Sequence, residues 1–301
     1  MIDIGPQYER DDDFTRRMRW HQSWYRARVL RVPHGTGPTP SSRTFYGNML
    51  TEDAASRGLN FLTADIFELA SRRIAAGTGA VDAFRLLRNM LSSQPMAFNL
   101  FGKLALDHHV ATQMVRALWG AHVKRVTDVR FEWAPRPAGE FLDDRTAFDV
   151  FIEYEDALGQ PGFIGIEVKL TEPFSRRRYD KPAYRRWMTP DSPWRLESRE
   201  AVADIRHNQL WRNHLLAWST LRHPSSTYRS GHLSVVFHPE DRRCCGVIDR
   251  YRALLRSQAT FSAFDLSQVV SAWRPFAGEW LETFAQRYLA LDAANRKLNA
   301  S

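Results

Sequence analysis

Cysteine is nearly absent from the 301-residue chain. There are two, Cys244 and Cys245, side by side. A bridge between chain neighbours is strained, so no disulfide framework holds the fold, and a reducing, cytoplasmic setting is expected. Lysine is scarce as well. Only five of the 42 lysines and arginines are lysines, namely Lys103, Lys124, Lys169, Lys181 and Lys297. Arginine is therefore the default cation, and each lysine asks for a reason. No run approaches the roughly 18 uncharged apolar residues that a transmembrane helix needs, so no membrane partner is expected. The start of the chain, running from Met1-Ile2-Asp3-Ile4 to Asp11-Asp12-Asp13, lacks both the basic opening and the apolar stretch of a secretory signal. No phosphate-cradling glycine loop and no nucleophile elbow occurs, which leaves a nucleotide-dependent kinase or an α/β-hydrolase without support. Repeats at solenoid periods are missing too.

What is present is an ordinary globular composition, 44% hydrophobic and 25% charged, with a net charge of +8. Such a chain can bury a sizeable core. Its basic balance favours a polyanionic partner such as nucleic acid, although net charge argues about association and not about fold.

The pattern along the chain predicts a helix over Phe14–Leu30, then a turn-rich loop at Pro33–Pro40. Residues 51–91 read as helical, with a break at Gly77-Thr78-Gly79. Ser92-Ser93-Gln94-Pro95 is a helix start signal, and apolar residues recur at helical spacing from Met96 to about Trp119. The period then changes. Val126, Val129, Phe131 and Trp133 mark one strand, Ala147–Tyr154 a second and Phe163–Leu170 a third, with a turn at Asp156–Gly162 that makes the last two a hairpin. A helix over Glu200–Ser219 and a buried strand at Leu233–Phe237 follow, and the pattern from Val247 onward is helical, with amphipathic stretches at Val247–Leu255 and Trp280–Leu298. Strands run together with crossover helices predict an α/β core. Residues 1–91 are expected to form an N-terminal helical extension packed on a core of residues 92–245. Residues 246–301 form a C-terminal helical extension, all in one compact unit.

The chemistry concentrates on the hairpin. Side chains of a strand alternate faces, so Ile164, Ile166, Val168 and Leu170 point one way, and Glu167 and Lys169 point together the other way. The second strand likewise sets Asp149, Phe151 and Glu153 opposite Phe148, Val150, Ile152 and Tyr154. Hairpin pairing brings Asp149 beside Glu167 and Lys169. Two carboxylates and an ammonium on a mostly apolar sheet need partners. Mg²⁺, with Mn²⁺ as a substitute, supplies one: it takes one or two carboxylates and completes its octahedron with water and phosphate oxygens. Asp149 and Glu167 provide two ligands, and the Val168 carbonyl a third. Lys169 is placed to orient or activate an attacking water and to offset charge growing on a phosphate. The set specifies metal-assisted phosphodiester hydrolysis.

Asp149 followed by Glu167-Val168-Lys169 across a hairpin resembles the motif of the PD-(D/E)XK nuclease superfamily. The wording Ser92-Ser93-Gln94-Pro95-Met96-Ala97-Phe98-Asn99-Leu100-Phe101-Gly102, followed by Ile166–Phe174, is similar to a bacterial branch of restriction-endonuclease-like proteins. The resemblance covers about half the chain. It implies an αβββαβ core with a mixed central sheet, to which helices are added at both ends. It also implies a DNA endonuclease of restriction or repair type, with Asp149 and Glu167 as metal ligands and Lys169 as the catalytic lysine. Cutters of this kind pair up, so a homodimer is implied as well. Phe148 stands where the motif's name has proline. The helix over Met96–Trp119 contains no glutamate, and Asp107 is the one carboxylate that could serve as an extra ligand there. In the helix after the hairpin, Gln209 matches a glutamine that relatives place near the site, where its amide could bond a phosphate or the bound water.

The segment Arg176–Arg195 carries six arginines and Lys181 against two aspartates, with Tyr179, Tyr184, Trp187 and Trp194 interleaved. Arginine on phosphate with aromatics for bases is the surface of a nucleic-acid groove, and Arg176, Arg177 and Arg178 lead it. A solvated basic loop over buried tryptophans is the plainer alternative. His108, His109, His207 and His214 are expected in structural or surface roles, not in a zinc site. Glu153 and Glu172 read as strand-end or loop contacts, and Asn99 as a brace for the first helix. The alternative to an enzyme is a nucleic-acid-binding module on a nuclease fold that does not turn over.

Overall fold

A computed structural model describes residues 3–77 and 81–291. In chain order its elements are α1 (Asp13–Tyr25), β1 (His34–Thr36), β2 (Phe45–Leu50), α2 (Glu52–Ser56), α3 (Ala64–Ala75), α4 (Ala83–Arg88), α5 (Ser93–Leu106) and α6 (His108–Trp119). There follow β3 (Val123–Trp133), β4 (Phe148–Asp156), β5 (Pro161–Lys169), α7 (Pro182–Arg185), α8 (Asn208–Arg222) and β6 (Ser230–Phe237). The last are α9 (Arg242–Arg252), β7 (Phe261–Asp265), α10 (Leu266–Trp273) and α11 (Glu279–Tyr288). None of these helices is long and apolar enough to cross a membrane.

Two units emerge. The described residues of Met1–Lys103, Leu170–Glu172 and Arg274–Ser301 form one, and Leu104–Lys169 with Pro173–Trp273 the other.

In the first unit, β1 and β2 form an antiparallel pair against which α1 packs. Residues 34–36 fall inside the predicted Pro33–Pro40 loop. The pairing rests on Gly35, where a Cβ would stand 2.3 Å from the Leu50 carbonyl oxygen, so glycine alone permits the close approach. Buried Arg287 of α11 is satisfied by the backbone carbonyl and side chain of Asn60 and by Gln22. Asn99 braces the same region: its Nδ2 donates to the Asn60 carbonyl at 3.0 Å, and its Oδ1 accepts from the Leu62 amide at 2.9 Å. Thr78 and Gly79 of the predicted break, and the predicted helix beyond residue 291, lie outside the described residues.

The second unit is built on a five-stranded sheet of order β3-β4-β5-β6-β7. Its first three strands are antiparallel, and β6 and β7 join in parallel. With α6 ahead of β3 and α8 crossing from β5 to β6, this is the expected αβββαβ core, extended by α9 and β7. Central β5 is buried over its last eight residues because it has neighbours on both edges and helices over the sheet. That is why it reads as a nearly unbroken apolar run. One face, carrying Phe151, Phe163, Leu233 and Val235, packs under Leu210, Trp211 and Leu215 of α8. At the sheet's outer side α6 lies along β3, and Trp273 of α10 donates its indole N–H to the Met114 carbonyl of α6.

Three predicted elements differ. The single helix over Met96–Trp119 is two, because Asp107 caps α6 by accepting from the amides of His109 and Val110. The helix assigned to Glu200–Ser219 starts at Asn208. Ahead of it Asp204 holds a local turn by accepting from the Arg206 amide at 2.8 Å, a bond that competes with helix. The helical pattern after Val247 hides β7, a five-residue parallel strand whose period is too short to show.

Candidate active site

The hairpin register decides what meets what. Val150 pairs with Ile166 and Phe151 with Gly165, so one step further Asp149 stands opposite Glu167, and Lys169 lies two residues on along the same face. Glu167 and Lys169 are buried, and Asp149 is half-buried at the start of β4. Asp149 Oδ2 accepts a hydrogen bond from the Val168 amide at 2.6 Å. A strand residue's N–H and C=O leave by the same edge, so the Val168 carbonyl also points toward the Asp149 side. Lys169 Nζ is 2.7 Å from Glu167 Oε1 and 4.9 Å from the centre of the Phe174 ring.

Helix α8 supplies the other wall. Gln209 Nε2 donates to Glu167 Oε1 at 2.7 Å, and Asn213 Nδ2 donates to Oε2 at 2.5 Å. The Gln209 carbonyl oxygen accepts from the Ser175 amide at 2.7 Å, so one side chain joins the hairpin carboxylate to the segment that follows it. Glu132, which the sequence pattern does not single out, is a third acid of this neighbourhood. The pairs Phe131↔Val150 and Trp133↔Phe148 bracket it opposite Asp149, where it is buried at φ +50°, a left-handed conformation rare for glutamate. Only the β3–β4 register reveals it, and that register is broken by shifts at its far end.

Burial pushes the Asp149 carboxyl well above its ordinary range, and the charges of Glu167 and Glu132 push it the same way. The Val168 hydrogen bond and the Lys169 charge pull it back only in part. Phe148, at the motif's proline position, lies over Gly165 and stacks with Trp133 and Phe151.

The basic segment divides. Tyr184 and Trp194 are core residues, and Tyr179 and Trp187 are packed against that core. Two of the interleaved aromatics thus serve packing outright, and the other two are only partly exposed. Tyr179 is held by paired bonds between its backbone and the Asn208 amide, with the Arg212 guanidinium 4.1 Å over its ring. Arg185 pairs with Asp180, and Arg186 donates to the Phe141 carbonyl. Arg176, Arg177 and Arg178 are exposed, with Arg178 3.8 Å from the Asp180 carboxylate.

His214 is enclosed between the Tyr251 hydroxyl and Thr260, and burial lowers it to about 3. His207 bonds the Ala201 carbonyl. Glu153 engages Arg130 and Tyr228. Glu172 accepts from the Ser93 amide and Arg85.

A family model described as the PD-(D/E)XK nuclease superfamily matches residues 9–290, nearly the whole chain. The chain belongs to that superfamily. No curated protein and no solved structure matches it. Membership in the PD-(D/E)XK nuclease superfamily points to metal-dependent nuclease chemistry on a nucleic-acid substrate. The residues fit a divalent cation by charge and donor type. Two carboxylates and a carbonyl are hard oxygen donors, and the excess of acid over Lys169 is what a cation would relieve. Among the described residues no three His, Cys, Asp or Glu side chains form a metal-holding group. Two carboxylates alone do not fill a divalent cation's shell, so backbone, water or substrate oxygens would have to supply the rest.

Proposed function

We propose that the chain is a Mg²⁺-dependent DNA endonuclease of restriction or repair type. The observation that carries this reading is the convergence of Asp149, Glu167 and Lys169 through the β4–β5 register. Asp149, Glu167 and the Val168 carbonyl would hold the ion, with Mn²⁺ as a working substitute. When bound, the ion supplies Lewis acidity and positive charge at the scissile phosphate. Lys169, fixed by Glu167 and Phe174, orients the attacking water through its ammonium protons and offsets charge on the phosphate oxygens. Gln209 keeps Glu167 in place, and exposed Arg176, Arg177 and Arg178 grip the backbone beyond the cut. Two copies, one per strand, complete a double-strand break in this reading.

The test is nicking of supercoiled plasmid in Mg²⁺ by the wild-type protein beside Asp149→Asn and Lys169→Ala. Each variant is expected to cut at least about 10²-fold more slowly, the scale on which removing one positioned charge acts. Equal nicking by all three overturns the assignment. Salt-sensitive DNA binding with no cleavage in Mg²⁺ or Mn²⁺ would instead favour a non-catalytic binding module.

A further inference from the structure

Asn213 occupies an unusual place. It lies six residues into α8, buried, where asparagine is a poor helix former and no cap needs it. Its amide points instead at the sheet and donates to Glu167 Oε2 at 2.5 Å. Gln209, one helical turn earlier, shares the same face and donates to Oε1, which also receives Lys169. Among the described residues the two oxygens of Glu167 are thus held differently: Oε1 meets the Gln209 amide and the Lys169 ammonium, and Oε2 meets the Asn213 amide. Asn213 is the only one of the three donors on Oε2, so it sets the rotation of the carboxylate plane. An amide is also neutral. It can orient a carboxylate without cancelling the charge that a cation needs, whereas a second lysine or arginine there would compete with the ion.

We infer that Asn213 is a positioning residue for the metal site, holding the Glu167 carboxylate in one orientation while leaving its charge intact. This rests on the nuclease reading above. The test is calorimetric titration of the full-length protein with Mn²⁺, comparing wild type with Asn213→Leu, which is close in shape and lacks the donor, and Asn213→Ser, which keeps a hydroxyl donor. Partners of metal ligands typically contribute 10- to 100-fold in affinity, so the Mn²⁺ dissociation constant of Asn213→Leu should rise by about that factor. Asn213→Ser should fall between, and plasmid cleavage by both should recover as Mg²⁺ is raised, a change in the metal requirement more than in kcat. A folded Asn213→Leu protein with wild-type Mn²⁺ affinity overturns the inference and leaves the nuclease reading standing. If the leucine variant does not fold, the serine variant is judged by the same measure. Failure of both to fold overturns the inference, because Asn213 is then a residue of the core. A wild-type protein that binds no Mn²⁺ overturns the site reading and this inference together.

Discussion

Asp149 is held in the folded protein in conditions that favour its proton: burial first, then the nearby charges of Glu167 and Glu132. A raised folded-state value has a definite sign in the linkage between pH and stability. The folded chain binds this proton more tightly than the unfolded chain, so the contribution to stability is full below the ordinary value of 3.8. It is lost as pH rises through the folded-state value. Keeping this carboxyl ionised should therefore cost the metal-free protein stability as the pH rises. Asp149→Asn, which removes that charge, is expected to melt above the wild type at pH 7–8, with the gap closing as the pH is lowered. The gain in melting temperature on adding Mg²⁺ should be confined to the wild type. Scanning calorimetry at several pH values checks this, and a variant that melts lower at neutral pH would count against it. Lys169 shows why scarcity in a sequence is informative: in a chain that uses arginine almost everywhere, this compact cation is buried against a glutamate and a phenylalanine.

Among the elements, β5 is legible in the sequence because its two faces differ so sharply. Ile164, Ile166 and Val168 fall on one parity and the Glu167–Lys169 pair on the other, and a tight turn fixes the pairing of β5 with β4. From that register alone, Asp149 and Glu167 can be placed together. Partners on α8 are harder to read. Gln209 can be matched by resemblance, but Asn213 looks like any polar helix residue until the crossover lays α8 over the sheet. Glu132 is hidden for a related reason, since it depends on a β3–β4 register that no tight turn sets. Strand β7 escapes because five residues carry too little period.

Element packing also explains the phenylalanine at the motif's proline position. The Phe148 ring lies over Gly165, where an added Cβ would come within 2.4 Å of it. Gly165→Ala is expected to cost about 1–3 kcal/mol by overpacking, and to displace Asp149 through its neighbour. Urea unfolding together with plasmid nicking would detect both effects. A variant as stable and active as the wild type would show that Phe148 can yield.

For the whole molecule, the +8 charge and the arginine bias suit a partner with a regular array of negative charge. The burial of Tyr184 and Trp194, with Tyr179 and Trp187 packed partly against the same core, shifts the expected grip from stacking on bases toward pairing with phosphate. Binding should accordingly depend steeply on salt and weakly on sequence away from the cut. Replacing Arg176, Arg177 and Arg178 together with alanine should lower the slope of log affinity against log salt by about 2–3, at roughly 0.9 for each phosphate no longer neutralised. Fluorescence anisotropy with a duplex oligonucleotide in Ca²⁺ measures it, and an unchanged slope would remove these arginines from the interface.

The amide of Val168 answers to the Asp149 carboxylate just beyond the last backbone pair of β4 and β5, so the end of that hairpin depends on what stands at position 149. Asparagine still offers an oxygen there, and alanine offers nothing. Silence from an alanine protein could then mean a frayed hairpin as easily as a missing ligand, while silence from the asparagine protein speaks to chemistry alone.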